Sequence, residues 1–189
     1  MLLLVLGLFL FLGAHTLPMS RDRRAGLVAR LGEGGYKGLF TALSLAGLVL
    51  IVWGYGQARA EGALLLWDPP RWTRHLAALL LVPVFPLLAV GKRDGFIRGT
   101  VKHPMLTAVK LWAAAHLIAN GTLPDVLLFG SFLAWAVVDR ISVKRRGEPN
   151  PPRSPWTRGD TIAVVAGLAL YAAFAWRLHL WLIGVSPFG

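Results

Sequence analysis

Lys102-His103-Pro104-Met105-Leu106-Thr107-Ala108-Val109-Lys110-Leu111-Trp112-Ala113-Ala114-Ala115-His116-Leu117-Ile118-Ala119-Asn120-Gly121 reads as a membrane-length helix that nonetheless carries two histidines and a lysine. At about 1.5 Å per residue, such a run approaches the roughly 30 Å of a hydrocarbon core. Ionisable groups in hydrocarbon are unfavourable, so a span that keeps three of them is a candidate functional element. At roughly 100° per residue, Lys110 shares the face of His103, whereas His116 points some 140° away with Asn120 one turn beyond it. The helix therefore presents two polar stripes.

Outward from this stretch, the chain keeps the same character. Apolar residues make up 56% of it and charged residues only 15%, yet the net charge is +11, so the cations must gather in the few segments that are not apolar. A nucleic-acid binder would spread its Lys and Arg over a polar surface; here they sit at the ends of apolar runs, which excludes nucleic acid and makes the lipid bilayer the expected partner. The absence of cysteine excludes disulfides, thiolate catalysis, zinc–thiolate sites and iron–sulfur clusters. Imidazole and carboxylate ligation remain open.

Six apolar runs are long enough to cross a bilayer, near residues 1–18, 36–57, 73–91, 104–120, 123–141 and 161–183. The expected fold is an all-α polytopic membrane helix bundle of about six transmembrane helices in a single domain, residues 1–189. Residues 1–18 lack a basic n-region and a small-x-small cleavage site before Arg21, so they read as a retained span. Arg21, Arg23, Arg24, Arg30 and Lys37 lie in the first connection; Lys92, Arg93, Arg98 and Lys102 in the third; Arg140, Lys144, Arg145, Arg146, Arg153 and Arg158 in the fifth. The alternate connections hold Arg59, Arg71 and Arg74, so the positive-inside rule places both termini outside. Interior Pro83 and Pro86 are tolerable where neighbouring helices cover the freed carbonyls. Gly147-Glu148-Pro149-Asn150-Pro151-Pro152 is a turn-rich connection without assigned chemistry.

This topology sorts the five histidines by depth. His15 and His103 lie near the inner side; His75, His116 and His179 lie towards the outer ends of their spans. Imidazoles on different helices can clamp a haem iron, although a histidine near a helix end also suits a hydrogen-bonded interfacial role. Arg177 is within snorkelling distance of the headgroups, and His179 reads as an outer-interface residue. Lys110 either snorkels or pairs with a carboxylate such as Asp139, which could equally pair with the adjacent arginines. Trp67, Trp72, Trp156 and Trp181 fall near span ends as an aromatic belt.

Several ordered blocks resemble one family. They are Gly13-Ala14-His15-Thr16, Leu31-Gly32-Glu33-Gly34-Gly35-Tyr36, Pro69-Pro70-Arg71-Trp72-Thr73-Arg74-His75-Leu76, Lys102-His103-Pro104-Met105 with Leu111 to Gly121, and Phe132-Leu133-Ala134-Trp135-Ala136-Val137 before Asp139-Arg140. Over nearly the whole chain they look like the NnrU family of bacterial inner-membrane proteins, named for an association with nitrite and nitric oxide metabolism in denitrifying bacteria. A plant and cyanobacterial relative of that family is 15-cis-zeta-carotene isomerase, a membrane enzyme that uses haem b. The resemblance implies haem ligation at the positions matching His15 and His116, with His103 and Asn120 as further cofactor-binding candidates. A cysteine considered as a redox-dependent ligand in the isomerase has no counterpart here, which sets ligand switching apart from this chain. By depth, His15 and His116 are offset by roughly 13 Å along the membrane normal, and His103, level with His15, competes as a ligand.

Three functions stay open at this stage. The first is a haem b membrane protein carrying out redox-linked isomerisation, or another reaction, on a small apolar substrate. The second is an S-adenosylmethionine-dependent methyltransferase of the isoprenylcysteine type, which also carries a His-Pro motif but expects paired acidic residues where this chain offers Glu148. The third is a non-catalytic accessory or sensor of a respiratory or denitrification system. Oligomeric state is not legible.

Overall fold

The computed structural model describes residues 1–188, and these are helical along most of their length. The helices are α1 (Leu2–Thr16), α2 (Arg21–Ala60), α3 (Trp72–Leu81), α4 (Val84–Val90), α5 (Phe96–Val101), α6 (Pro104–Ala119), α7 (Leu123–Arg145), α8 (Arg158–Ala173) and α9 (His179–Ile183). A 3-10 turn at Leu17–Met19 follows α1, and a π-helical turn at Phe174–Leu178 joins α8 to α9. Among the described residues, β pairing is confined to an isolated bridge between Leu65 and Thr122. The protein is an all-α, multi-pass membrane protein.

Five helical segments are long and apolar enough to span: Leu2–Met19, Arg21–Ala60, Trp72–Val90, Leu123–Arg145 and Arg158–Ile183. The sixth apolar helix, α6, has 16 residues. That is about 24 Å at 1.5 Å per residue, less than a full hydrocarbon core. Its ends explain the shortfall. Pro104 occupies the first turn, where a missing N–H is harmless, and forces His103 out of helical geometry; at the other end Asn120 is already extended.

Three expected spans are broken or extended. The second begins early, because Arg21–Leu31 is also helical, and it kinks at Gly32, whose φ of 71° and ψ of 164° suit only glycine. The third divides into α3 and α4 at Pro83, which cannot donate a helical hydrogen bond. The sixth runs straight into the π-helical turn before α9.

The chain forms two compact units, Met1–Trp67 with Thr122–Val143, and Asp68–Gly121 with Lys144–Gly189. In the first unit, α1 and α2 pack at glycine contacts. A Cβ at Gly7 would lie 2.6 Å from the Ile51 nitrogen, and one at Gly47 would lie 2.7 Å from the Phe11 nitrogen. Small residues let the backbones approach this closely, the usual basis of helix association in lipid. Leu4, Leu8, Ile51 and Ala58 are buried along the same seam. The start of α7 is fixed by Asp125, which accepts from Thr122 N–H at 3.0 Å and from the Tyr55 hydroxyl at 2.5 Å.

In the second unit, Val84, Leu87 and Ala108 form a core against which Leu81, Ile97, Val101, Leu111 and Trp112 pack. Gly167 of α8 lies directly on the Pro86 backbone, and the Tyr171 hydroxyl donates to Ala78 O at 2.9 Å. Asp160 ties two helix starts together. It accepts from Phe96 N–H at 3.0 Å and Ile97 N–H at 3.1 Å, and it closes a capping box with Thr157. This anchors the basic loop preceding Lys102 and His103 to α8.

Candidate functional site

His116 occupies the last turn of α6, where the i and i−4 positions stack. Its Nδ1 lies 2.8 Å from Trp112 O. A carbonyl can only accept, so Nδ1 carries the proton, the tautomer in which a neutral histidine ligates metals through Nε2. Asn120 secures the backbone at this point. Its backbone N–H and its Nδ2 both donate to His116 O, each at 2.9 Å. Asn120 thus acts on the histidine's main chain and ends the helix.

Across from His116 stands His179, the first residue of α9. The two ring centres are 6.5 Å apart, with planes inclined by 21°. His179 Nδ1 lies 2.8 Å from Val185 O, so the same reasoning places a proton on its Nδ1. Gly184, at a φ of 81°, turns the tail back and so brings the Val185 carbonyl to the ring. A π-helical turn immediately precedes His179, a feature common at functional sites. Sequence reading treated His179 as an interfacial residue, although depth already placed it on the outer side with His116.

His15 belongs to the first unit. Its Nδ1 lies 2.8 Å from Phe11 O, and its ring is surrounded by aromatic groups. Phe11 stacks at 4.2 Å, Phe40 lies at 5.0 Å, and Trp135 meets it edge-on at 6.0 Å. The buried Trp135 Nε1 has no hydrogen-bond partner among the described residues. His15 and His116, the pair implied by the family resemblance, therefore lie in different units with different surroundings.

His103 is half-buried and extended (φ −129°) at the mouth of α6, and its carbonyl accepts from Thr107 N–H at 3.0 Å. Lys102 before it sits at a φ of 66°, a strained conformation for a side-chain-bearing residue. His75 is exposed, its ring 6.2 Å from that of Phe188. Lys110 is half-buried and enters no ion pair among the described residues. Among the described residues, no group of three or more His, Cys, Asp or Glu side chains could hold a metal ion. Asp125 and Asp160, the two buried carboxylates, escaped the sequence reading, yet both stand three residues after a threonine, the spacing of a capping box.

The model of the family described as NnrU protein matches residues 3–187 of this chain. Neither a curated protein nor a solved structure gives a match.

Proposed function

Because the chain belongs to the NnrU family, we propose that it is a bacterial inner-membrane protein that binds haem b among its helices. Its proposed role is redox-linked, either in nitrite and nitric oxide metabolism or in isomerising a small apolar substrate. The observation that carries this reading is shared by the two histidines matching the haem ligands of the family's isomerase relative. His15 and His116 each direct Nδ1 at the carbonyl four residues earlier, at 2.8 Å, the hydrogen bond that orients an imidazole ligand. An imidazole oriented in this way is the kind of nitrogen donor that haem iron accepts. A bound haem would supply a redox or Lewis-acid iron.

The chain's own residues supply the remaining requirements. The carbonyls of Phe11 and Trp112 fix the tautomers and ring orientations. Buried Ala113 and Ala115 keep α6 slim beside His116, and Asn120 holds the His116 carbonyl and ends the helix there. The methyltransferase reading has less support: Glu148, the acidic residue it used, is ion-paired to Arg146 at 2.8 Å. Titrating haemin into the haem-free chain in detergent tests the proposal. A saturable red shift of the Soret band, absent from a His116→Ala, His15→Ala double variant, is expected; a shift indistinguishable from haemin in empty micelles would refute it.

A further inference from the structure

We infer that the cavity lined by Pro18, Arg24, Tyr36, Lys37, Phe40 and Thr41 binds the phosphodiester headgroup of an anionic membrane lipid. The inference is independent of haem. It rests on a fold-back of the chain, on charge and on a hydroxyl without a partner.

The fold-back is made at Gly32. In a straight helix Arg24 and Glu33 would stand about 13.5 Å apart along the axis, and Arg24 and Tyr36 about 18 Å. The kink at Gly32, with its φ of 71°, instead returns Arg24 to both. Its guanidinium donates to Glu33 at 3.1 Å and lies 5.4 Å from the centre of the Tyr36 ring. The cavity enclosed in this way measures about 260 Å³. Pockets for drug-sized molecules begin at roughly 300 Å³, so this one is of headgroup size.

The charge of the site favours an anion. The Glu33 carboxylate is shared, at 3.1 Å from Arg24 and 3.4 Å from Lys37, so one negative charge serves two positive ones. Around it, residues 21–37 hold Arg21, Arg23, Arg24, Arg30 and Lys37 against Asp22 and Glu33. A guanidinium fixed from two sides beside an ammonium with three donors is arranged for phosphate oxygens.

The hydroxyl of Tyr36 points to a ligand independently of charge. Tyr36 is 6% exposed, yet its hydroxyl makes no hydrogen bond among the described residues. A buried phenol without a partner is unfavourable. Because Tyr36 lines the cavity, a phosphate oxygen held there by Arg24 and Lys37 would accept from it.

Depth selects a lipid over a soluble phosphate. Tyr36 and Lys37 stand where the basic segment gives way to the apolar run 36–57, the level at which headgroups and interfacial tyrosines meet. Phe40, one turn and about 6 Å further into that run, lines the same cavity, so polar donors sit at the headgroup and an apolar ring beyond them.

The test is native mass spectrometry of the full chain in detergent, offered equal amounts of phosphatidylglycerol and phosphatidylcholine. One phosphatidylglycerol per chain should be retained in preference, and millimolar inorganic phosphate should not displace it. Tyr36→Phe keeps the ring beside Arg24 and every charge, and should weaken retention about tenfold. Lys37→Gln should weaken it about fivefold. Arg23→Gln removes an exposed cation outside the cavity and should leave it unchanged. Wild-type retention in Tyr36→Phe, or equal losses in Lys37→Gln and Arg23→Gln, would overturn the inference in favour of diffuse surface charge. Equal retention of the two lipids, or displacement by inorganic phosphate, would overturn the anionic lipid as the occupant.

Discussion

Gly54→Ala should destabilise the protein, against the usual gain from removing a helical glycine. A Cβ there would fall on the Leu4 nitrogen and lie 2.7 Å from Leu3 C and 2.8 Å from Leu4 Cα. Ordinary carbon contacts are about 3.5 to 4.0 Å, so α1 and α2 must part by roughly 1 Å. The obstacle is backbone, so rotamer changes cannot relieve it. Overpacking of this kind costs about 1 to 3 kcal/mol. Separation would also loosen the contacts at Gly7 and Gly47, whose Cβ positions meet backbone at 2.6 and 2.7 Å. Gly56, two residues on, is the control: it is exposed, with nothing within 4 Å of its Cβ. Gly56→Ala should be neutral or stabilising by about 0.4 to 1 kcal/mol, because alanine restricts the unfolded chain. The assay is reversible unfolding in mixed micelles with increasing dodecyl sulfate, followed by circular dichroism. Equal midpoints for the two variants would refute the close α1–α2 seam.

Asp160→Ala should cost about 1 to 3 kcal/mol, since it removes the buried acceptor of the part-buried N–H groups of Phe96, Ile97 and Thr157; unfolding that matches wild type would remove the anchoring role. Tyr55→Phe should cost about 0.6 to 1.7 kcal/mol by the same assay, as the hydroxyl donates to buried Asp125. A periplasm-active reporter fused after Gly189, which lies outside the described residues, should be active, and one inserted near Asn150 should be inactive. Reversed activities would show that the orientation read from the cation distribution is wrong.

The spans were legible because a bilayer imposes a length and an apolar composition on each, and because Lys and Arg cluster at their ends. The breaks within them were harder to see. Gly32 lies just before an apolar run and Pro83 inside one, and hydropathy registers nothing about φ or a missing donor. The capping carboxylates stand in the sequence as Thr122-Leu123-Pro124-Asp125 and Thr157-Arg158-Gly159-Asp160, a local spacing to which hydropathy and membrane depth are blind. At the candidate site, the i−4 carbonyl partners of His15 and His116 follow from helix geometry alone. The approach of His179 to His116 does not. It joins residues distant in sequence and depends on the fold of the second unit, with the His179 ring oriented by a tail that turns at Gly184.

The most direct measurement is the haem content of the full chain, expressed with haem supply, purified in detergent and assayed as the pyridine haemochrome. Imidazole ligation at His116 predicts b-type haem approaching one per chain, sharply reduced in His116→Ala. A clean, folded preparation with no Soret band would contradict it.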